Sequence, residues 1–151
     1  MLQLALQIDL PAARPLVPVE ACMVLCDADE DEILRHIEDG SLAWAFNIGE
    51  PTALRREIRV WRDALLKVLR RQDTPMPATP EEVISRFLPQ RDLRTSEIQR
   101  LFSCSSQHVH DLMRTRCLIV ARAATAASGP NAAALITRAS VQSFLLRGLV
   151  R

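Results

Sequence analysis

The stretch LFSCSSQHVHDLMRTRCL, residues 101–118, contains two histidines, two cysteines and a serine pair within eighteen positions. Its apolar residues Val109, Leu112 and Met113 follow the i, i+3, i+4 spacing of a helix that buries one stripe. Ser105 stands just before this pattern, at a position where serine is favoured as the N-cap of a helix. The stretch therefore predicts a tight turn followed by an amphipathic helix.

The same pattern occurs once more in the chain. An offset of 76 positions, without a gap, aligns residues 101–118 with LCDADEDEILRHIEDGSL, residues 25–42. Identity is low, so the repeat is one of architecture, and it predicts two units of similar fold. Apolar residues align over the whole unit, among them Leu25 with Leu101, Ile33 with Val109, Ile37 with Met113, Leu42 with Leu118, Val60 with Ile136, Leu65 with Val141 and Leu69 with Leu145.

Each unit is expected to contain a helix, a tight turn, a second helix, two short strands and a last helix. The expected strands cover residues 42–48, 56–60, 117–121 and 133–137, and the last helix covers 138–149. Asp29 and Ser105 are expected to cap the second helix of each unit, and Thr95 or Ser96 the first helix of the second unit. Alternation over residues 2–9 indicates an N-terminal strand.

The connector between the units is rich in proline. Thr79, Pro80 and Glu82 combine an N-cap, a proline at the first helical position and a capping-box glutamate, which predicts a short helix to about Leu88. The chain then divides into an N-terminal strand or arm over residues 1–17, a first unit over 18–71, a linker with a short helix over 72–92, and a second unit over 93–151.

Two helices joined by a tight turn and followed by a β-hairpin form the winged helix-turn-helix plan. The run SEIQRLFSCSSQHVHDLMRTRCL followed by ITRASVQSFL, and its earlier copy EACMVLCDADEDEILRHIEDGSL followed by VWRDALLKVL, resemble the excisionase and MerR-like branch of that plan. The resemblance covers about residues 18–71 and 93–149. It implies a mainly α fold with small β-hairpin wings, a tandem winged helix-turn-helix. The second copy departs from the family in carrying Arg116 where a glycine usually follows the recognition helix.

Members of this family are small DNA-binding proteins, recombination directionality factors and transcription regulators of mobile elements. The charge distribution agrees with such a role for one copy only. Residues 1–71 carry nine basic and twelve acidic side chains, a net charge of −3, whereas residues 93–151 carry eight basic and two acidic side chains, a net charge of +6. A surplus of arginine favours polyanion binding by the second unit.

A helix that reads DNA presents polar side chains opposite its buried stripe. In the second unit Gln107 can bond adenine with two hydrogen bonds and Arg114 suits guanine or phosphate, while Asp111 shares this outward face. An ordinary solvated polar face is the alternative. The predicted DNA-binding residues are Ser105, Ser106, Gln107, His108, His110 and Arg114 on the helix, with Arg100, Arg116, Arg122, Asn131 and Arg138 around it.

The equivalent helix of the first unit is acidic and would be repelled by phosphate. An exposed Leu34 among acids, with Arg35 and Glu38, favours contact with protein, either another subunit or the other copy. The hairpin arginines of this unit leave two alternatives open, since they can rest on phosphates or pair with nearby acids. These arginines are Arg55, Arg56, Arg59 and Arg62, and the acids are Glu57 and Asp63.

Metal and catalytic sites are not expected. A zinc site could be formed by Cys104, His108, His110 and Cys117, but the two histidines point about 200° apart around the helix axis. Cys104 instead occupies the position in the turn at which an apolar residue is expected to be buried. A nucleophile would need an oxyanion site, and there is no glycine-rich phosphate loop among only four glycines. We therefore expect no enzyme activity, no metal and no cofactor.

The expected function is sequence-specific binding of double-stranded DNA, as a transcription regulator or an excisionase-like accessory factor of a mobile element. We expect a homo-oligomer, a dimer, or a second DNA-bound protein as partner. No membrane or secretory segment is visible, which predicts a cytoplasmic, nucleoid-associated protein with reduced cysteines. The alternatives are an assembly adaptor that keeps the winged fold without reading DNA, and a phage DNA-packaging recognition subunit that forms a ring.

Overall fold

A computed structural model describes residues 14–73, 75–122 and 134–150. The strand predicted over residues 2–9 and the predicted DNA contact Asn131 lie outside these ranges, as does the side chain of Arg122. The described chain is a mixed α/β structure, with seven helices and small antiparallel sheets.

The elements follow the chain in two similar series. The first unit begins at Leu16 instead of the predicted residue 18, because the strand Leu16–Pro18 pairs with the strand Ile58–Trp61 of this unit. It contains β1 (Leu16–Pro18), α1 (Val19–Cys26), α2 (Glu30–Glu38), β2 (Ala45–Asn47), β3 (Ile58–Trp61) and α3 (Arg62–Leu69). The linker contains α4 (Pro80–Phe87). The second unit contains β4 (Leu93–Arg94), α5 (Thr95–Phe102), α6 (Ser106–Arg114), β5 (Val120–Arg122), β6 (Leu135–Ile136), α7 (Arg138–Arg147) and β7 (Leu149–Val150).

The offset of 76 positions holds for the structure as well as for the sequence. Helices α1, α2 and α3 begin at residues 19, 30 and 62, and helices α5, α6 and α7 begin at 95, 106 and 138. The turn residues Asp27 and Ser103, one offset apart, have φ values of 51° and 49°, both left-handed. The two units therefore share local backbone geometry and not only the order of their elements.

Helix capping explains where most helices begin. The Asp29 carboxylate accepts from the amide of Glu32 at 2.9 Å, and the Glu32 carboxylate accepts from the amide of Asp29 at 3.0 Å. The Ser105 hydroxyl accepts from the amide of His108 at 3.1 Å. Both predicted caps are confirmed, and each satisfies an amide that the first turn of a helix leaves without a partner.

The start of α5 differs from the prediction. Its N-cap is Arg94, with Thr95 already helical, instead of Thr95 or Ser96. The Glu97 carboxylate accepts from the amide of Arg94 at 3.1 Å, so the first turn is capped from inside the helix. Arg91 holds that carboxylate through an ion pair of 2.6 Å.

The C-terminus joins the two units. The predicted last helix over 138–149 ends at Arg147, and β7 then pairs with β2 as the outer strand of a four-stranded sheet ordered β1-β3-β2-β7. The amide of Asn47 donates to the carbonyl of Gly148 at 2.6 Å. Hydrogen bonding across this edge therefore stops α7 earlier than the apolar periodicity indicates. The other sheet, ordered β4-β6-β5, stays within the second unit.

The four-stranded sheet is buried on both faces. Neighbouring residues point to opposite sides, so Val17 and Val60 pack against the helices of the first unit, while Phe46 and Trp61 belong to a second core. That second core continues through α4 into the second unit, where it includes Phe102. We call this second core the shared core, because it contains residues of both units. Burial of each of its large side chains contributes about 1.5–3 kcal/mol, which holds the two units together.

Candidate nucleic-acid interface

Helix α6 has one buried and one open side. Val109 and Leu112 are fully buried in the shared core, and Met113 packs beside them. The opposite side exposes Ser106, Gln107, His110 and Arg114, with Asp111 partly exposed between them. These are the five residues that the sequence places outward, and their side chains combine neutral donors and acceptors with one cation and one anion.

Asp111 organises this outward face. One of its carboxylate oxygens accepts from the side-chain amide of Gln107 at 3.0 Å and from the guanidinium of Arg114 at 3.2 Å. The Arg114 side chain is 74% exposed. An exposed ion pair of this kind contributes only about 0–1 kcal/mol, so a ligand with stronger acceptors can replace Asp111 at little cost.

His108 lies on a different side of α6 from the other predicted contacts. Its side chain is only 13% exposed, and its Nε2 atom lies 2.6 Å from the carbonyl oxygen of Ile48 in the first unit. Because a carbonyl can only accept, Nε2 carries the proton. The Nδ1 atom lies 3.9 Å from a carboxylate oxygen of Glu57. His108 therefore fixes α6 against the first unit, and its ring edge is not free for a ligand.

The turn before α6 is also tied to the first unit. The guanidinium of Arg59 donates to the carbonyls of Phe102 at 2.9 Å and Ser103 at 3.2 Å, at the end of α5. The Ser103 hydroxyl donates to the carbonyl of Leu16 at 2.7 Å. Of the two alternatives for the hairpin arginines, Arg59 follows the pairing with a nearby acid, since its guanidinium lies 3.7 Å from Glu57. The same guanidinium caps the end of α5 in the other unit.

The remaining predicted contacts occupy varied positions. Arg100 and Arg116 are exposed. Arg138 is partly buried, and its guanidinium donates to the carbonyl of Pro89 at 2.9 Å and to the side chain of Gln142 at 3.1 Å. Arg138 therefore joins the start of α7 to the linker. The backbone of Arg122 pairs with Leu135 in the β5–β6 ladder.

Arg116 has an unusual backbone conformation. It follows α6 with φ +61°, in the left-handed region where glycine is preferred. Gly40, one offset earlier, occupies the same position after α2 with φ +85°. The two units therefore use one type of helix end, and the second places a cation there.

In the first unit Leu34 is not exposed as predicted. It is partly buried and packs against the core of that unit. Arg35 and Glu38 are exposed. Leu34 borders an open cleft of about 510 Å³ that also includes the fully exposed Leu54. Its polar walls are formed by Glu20, Glu30, Arg55, Arg56, Glu57 and Arg59.

Burial holds Cys22, Cys26 and Cys104 as thiols. Burial raises the pKa of Cys22 to about 12 and that of Cys104 to about 11, and it also raises the pKa of Cys26. Cys104 packs against the shared core in the turn before α6. Thiols so far from ionisation are poor nucleophiles and poor metal ligands at neutral pH. Within the described ranges, no three histidine, cysteine, aspartate or glutamate side chains group as a metal site.

None of the helices in the described ranges has the length and apolar character needed to cross a membrane. No family model matches the chain, and comparisons with curated proteins and with solved structures give no match. Function is therefore inferred from the side chains and their geometry.

Proposed function

We propose that the protein binds double-stranded DNA in a sequence-specific manner, with α6 of the second unit as the reading helix. In this proposal the chain is a tandem winged helix-turn-helix protein, similar to the excisionase and MerR-like family. It acts as a transcription regulator or as a recombination directionality factor of a mobile element. Its location is cytoplasmic and nucleoid-associated.

The observation that carries the proposal is the outward face of α6. Gln107 and Arg114 are the side chain types that recognise adenine and guanine through paired hydrogen bonds. Both are exposed, and each is bonded to Asp111 through a solvent-accessible hydrogen bond that a ligand can replace. The matching face of α2 bears Glu30, Asp31 and other acids, so the two helices have diverged in surface while keeping one backbone.

The packing of α6 supports the same role. Readout requires a helix whose position is fixed before DNA binds, since loose positioning weakens each base contact. His108 and Arg59 fix α6 and the preceding turn against the first unit. We therefore assign the first unit a scaffolding role, with contact to a partner protein through α2, where Arg35 and Glu38 are exposed.

The test begins by selecting duplexes from a random library with the full chain, followed by gel-shift measurement at one fixed salt concentration. Arg114→Ala and Gln107→Ala are each expected to lose about 1–3 kcal/mol of binding to the selected site. Arg35→Ala removes an exposed arginine from the acidic α2 and serves as the matched control. If both α6 variants bind like the wild type, α6 is not the reading helix.

The assembly state separates the possible processes. A homodimer would bind two half-sites about one DNA turn apart, so the selected sequence should be a palindrome or a direct repeat with that spacing. Light scattering of the free protein and of its complex measures the subunit number. A ring of many subunits would instead favour a DNA-packaging recognition role.

A protein-interaction adaptor is the second candidate function. It is favoured by the cleft beside α2, where Leu54 is fully exposed next to Leu34. An adaptor that has lost DNA readout would show no salt-sensitive retention on immobilised duplex DNA. The full chain is the correct sample for this experiment, because the two units share a core.

A further inference from the structure

A second group of cations lies on α3, on its C-cap residue Arg70 and on α4. Lys67 and Arg70 are three residues apart, which places their side chains on neighbouring positions of the helix surface. Together with Arg86 of α4 they line an open cleft of about 210 Å³. Three cations from two separate elements therefore converge on one concave surface, which we call the α3–α4 basic face (Lys67, Arg70 and Arg86).

The charge of this face is not neutralised by nearby carboxylates. Among the described residues that line the cleft Asp63 alone is acidic, and its carboxylate lies 3.3 Å from the guanidinium of Arg62. Among the described residues, none of the three cations of the basic face has a carboxylate oxygen within 4.0 Å. Cations grouped without partners create a positive potential that attracts an anionic ligand.

Arg86 is held in place by an aromatic ring. Its guanidinium carbon lies 5.7 Å from the centre of the Trp61 ring, and Trp61 itself is fixed in the shared core. A guanidinium placed over an aromatic ring keeps its N–H edge available for a phosphate. Arg86 also lines an adjoining cleft of about 280 Å³, which reaches Leu101 of α5.

We propose that the α3–α4 basic face binds the phosphate backbone of the same DNA duplex that α6 reads. The inference rests on the proposed function, because it names a second surface for that partner. Phosphate is the ligand that suits this set: arginine bonds it with two parallel N–H groups, and lysine acts as a point charge. Arg86 also lines the cleft that reaches Leu101 of α5, the first helix of the helix-turn-helix, which crosses the DNA backbone in such complexes. The basic face therefore gives the first unit a DNA contact that does not involve its acidic α2.

The experiment measures binding of a labelled mixed-sequence duplex by the full chain, between about 50 and 200 mM salt. Each phosphate contact adds about 0.9 to the slope of log K against log salt concentration. Lys67→Gln/Arg70→Gln should lower the slope by about 1.8, and Arg86→Gln should lower it by about 0.9. Affinity should fall equally for selected and unrelated sequences, since phosphate contacts carry no base information.

Arg35→Gln is the matched control, because it removes one exposed cation outside the basic face and changes the net charge as Arg86→Gln does. Its slope should equal that of the wild type. A double variant with the wild-type slope would overturn this inference and leave α6 readout intact. Equal losses for Arg35→Gln and Arg86→Gln would also overturn it, because net charge alone would then explain the effect. If the wild type binds no duplex at all, both the inference and the proposed function fail.

Discussion

The imidazole Nε2 of His108 lies 2.6 Å from the backbone carbonyl of Ile48, so a residue of the candidate reading helix is bonded to the other unit of the repeat. This contact separates two histidines that are close in sequence. His110 is exposed on the outward face of α6, whereas His108 is nearly buried. A helix that reads DNA through one side can be positioned through another, and His108 serves the positioning side.

Replacing His108 by leucine should destabilise the fold. The substitution removes the donor and leaves the carbonyl of Ile48 without its partner, which costs about 1–3 kcal/mol for a buried group. Urea denaturation followed by circular dichroism gives the change in the free energy of unfolding. His110→Leu is the matched control, and it should change stability by less than about 0.5 kcal/mol. Equal effects of the two variants would contradict the role of His108.

Much of the local structure could be predicted from the sequence. The offset of 76 positions, the caps Asp29 and Ser105 and the short linker helix all depend on neighbouring residues, and local patterns report them well. The outward face of α6 follows from the same periodicity, because the buried positions Val109 and Leu112 leave the other side open.

Contacts between the units could not be predicted in this way. Alternation in a strand shows that Phe46 and Val60 point to opposite faces, but it does not show what covers each face. The sequence predicts a small β-hairpin wing in the first unit, whereas the structure places the second unit and β7 against this hairpin. For the same reason the sequence predicts a DNA contact for His108 and leaves Arg59 between phosphates and nearby acids, whereas both bond backbone carbonyls of the other unit. A polar residue near an apolar stripe is the one signal that the sequence offers for such contacts.

The junction between β2 and β7 should be sensitive to one methyl group. A Cβ atom at Gly148 would collide with the carbonyl oxygen of Asn47, whose amide bonds the Gly148 carbonyl. Gly148→Ala should therefore cost about 1–3 kcal/mol, as overpacking does, with loss of the β2–β7 pairing. Differential scanning calorimetry should record a fall in Tm of roughly 2–4 °C per kcal/mol.

Gly40→Ala provides the comparison for this change. No atom lies within 4 Å of the added methyl group, but the residue has φ +85°, so the substitution tests backbone strain alone. It should cost about 1 kcal/mol, less than Gly148→Ala. A Tm for Gly148→Ala equal to that of the wild type would show that β7 does not pair with β2.

Alkaline pH should weaken the fold through the cysteines. Burial raises the pKa of Cys22 to about 12 and that of Cys104 to about 11, whereas thiols of the unfolded chain ionise near 9.0. The unfolded state therefore loses protons first, and stability that is complete below pH 9 declines as pH rises toward 11 and 12. The chain has no tyrosine and only one lysine, so few other groups titrate in this window.

Urea midpoints measured at about pH 8 and about pH 10.5 check this expectation. Cys22→Ala should reduce the fall in midpoint between the two pH values, even though the lost side chain lowers stability at both. Cys117→Ala, which changes a less buried cysteine, is the comparison for the loss of a side chain. A wild-type midpoint that stays constant across this window would contradict the burial of these thiols.

Arg116 should lower the stability of the fold and strengthen DNA binding. A non-glycine residue at φ +61° costs about 1 kcal/mol, and the first unit avoids this cost with Gly40. Arg116→Gly should therefore stabilise the protein by about 1 kcal/mol, measured by urea denaturation. The same variant should bind duplex DNA more weakly, because the cation at the end of α6 is lost. Its slope of log K against log salt concentration should be lower by about 0.9.

Arg116→Asn is the second variant, because asparagine tolerates this backbone better than arginine does. It should lose as much DNA binding as Arg116→Gly and gain less stability. Gain of stability without loss of affinity would show that Arg116 does not contact DNA.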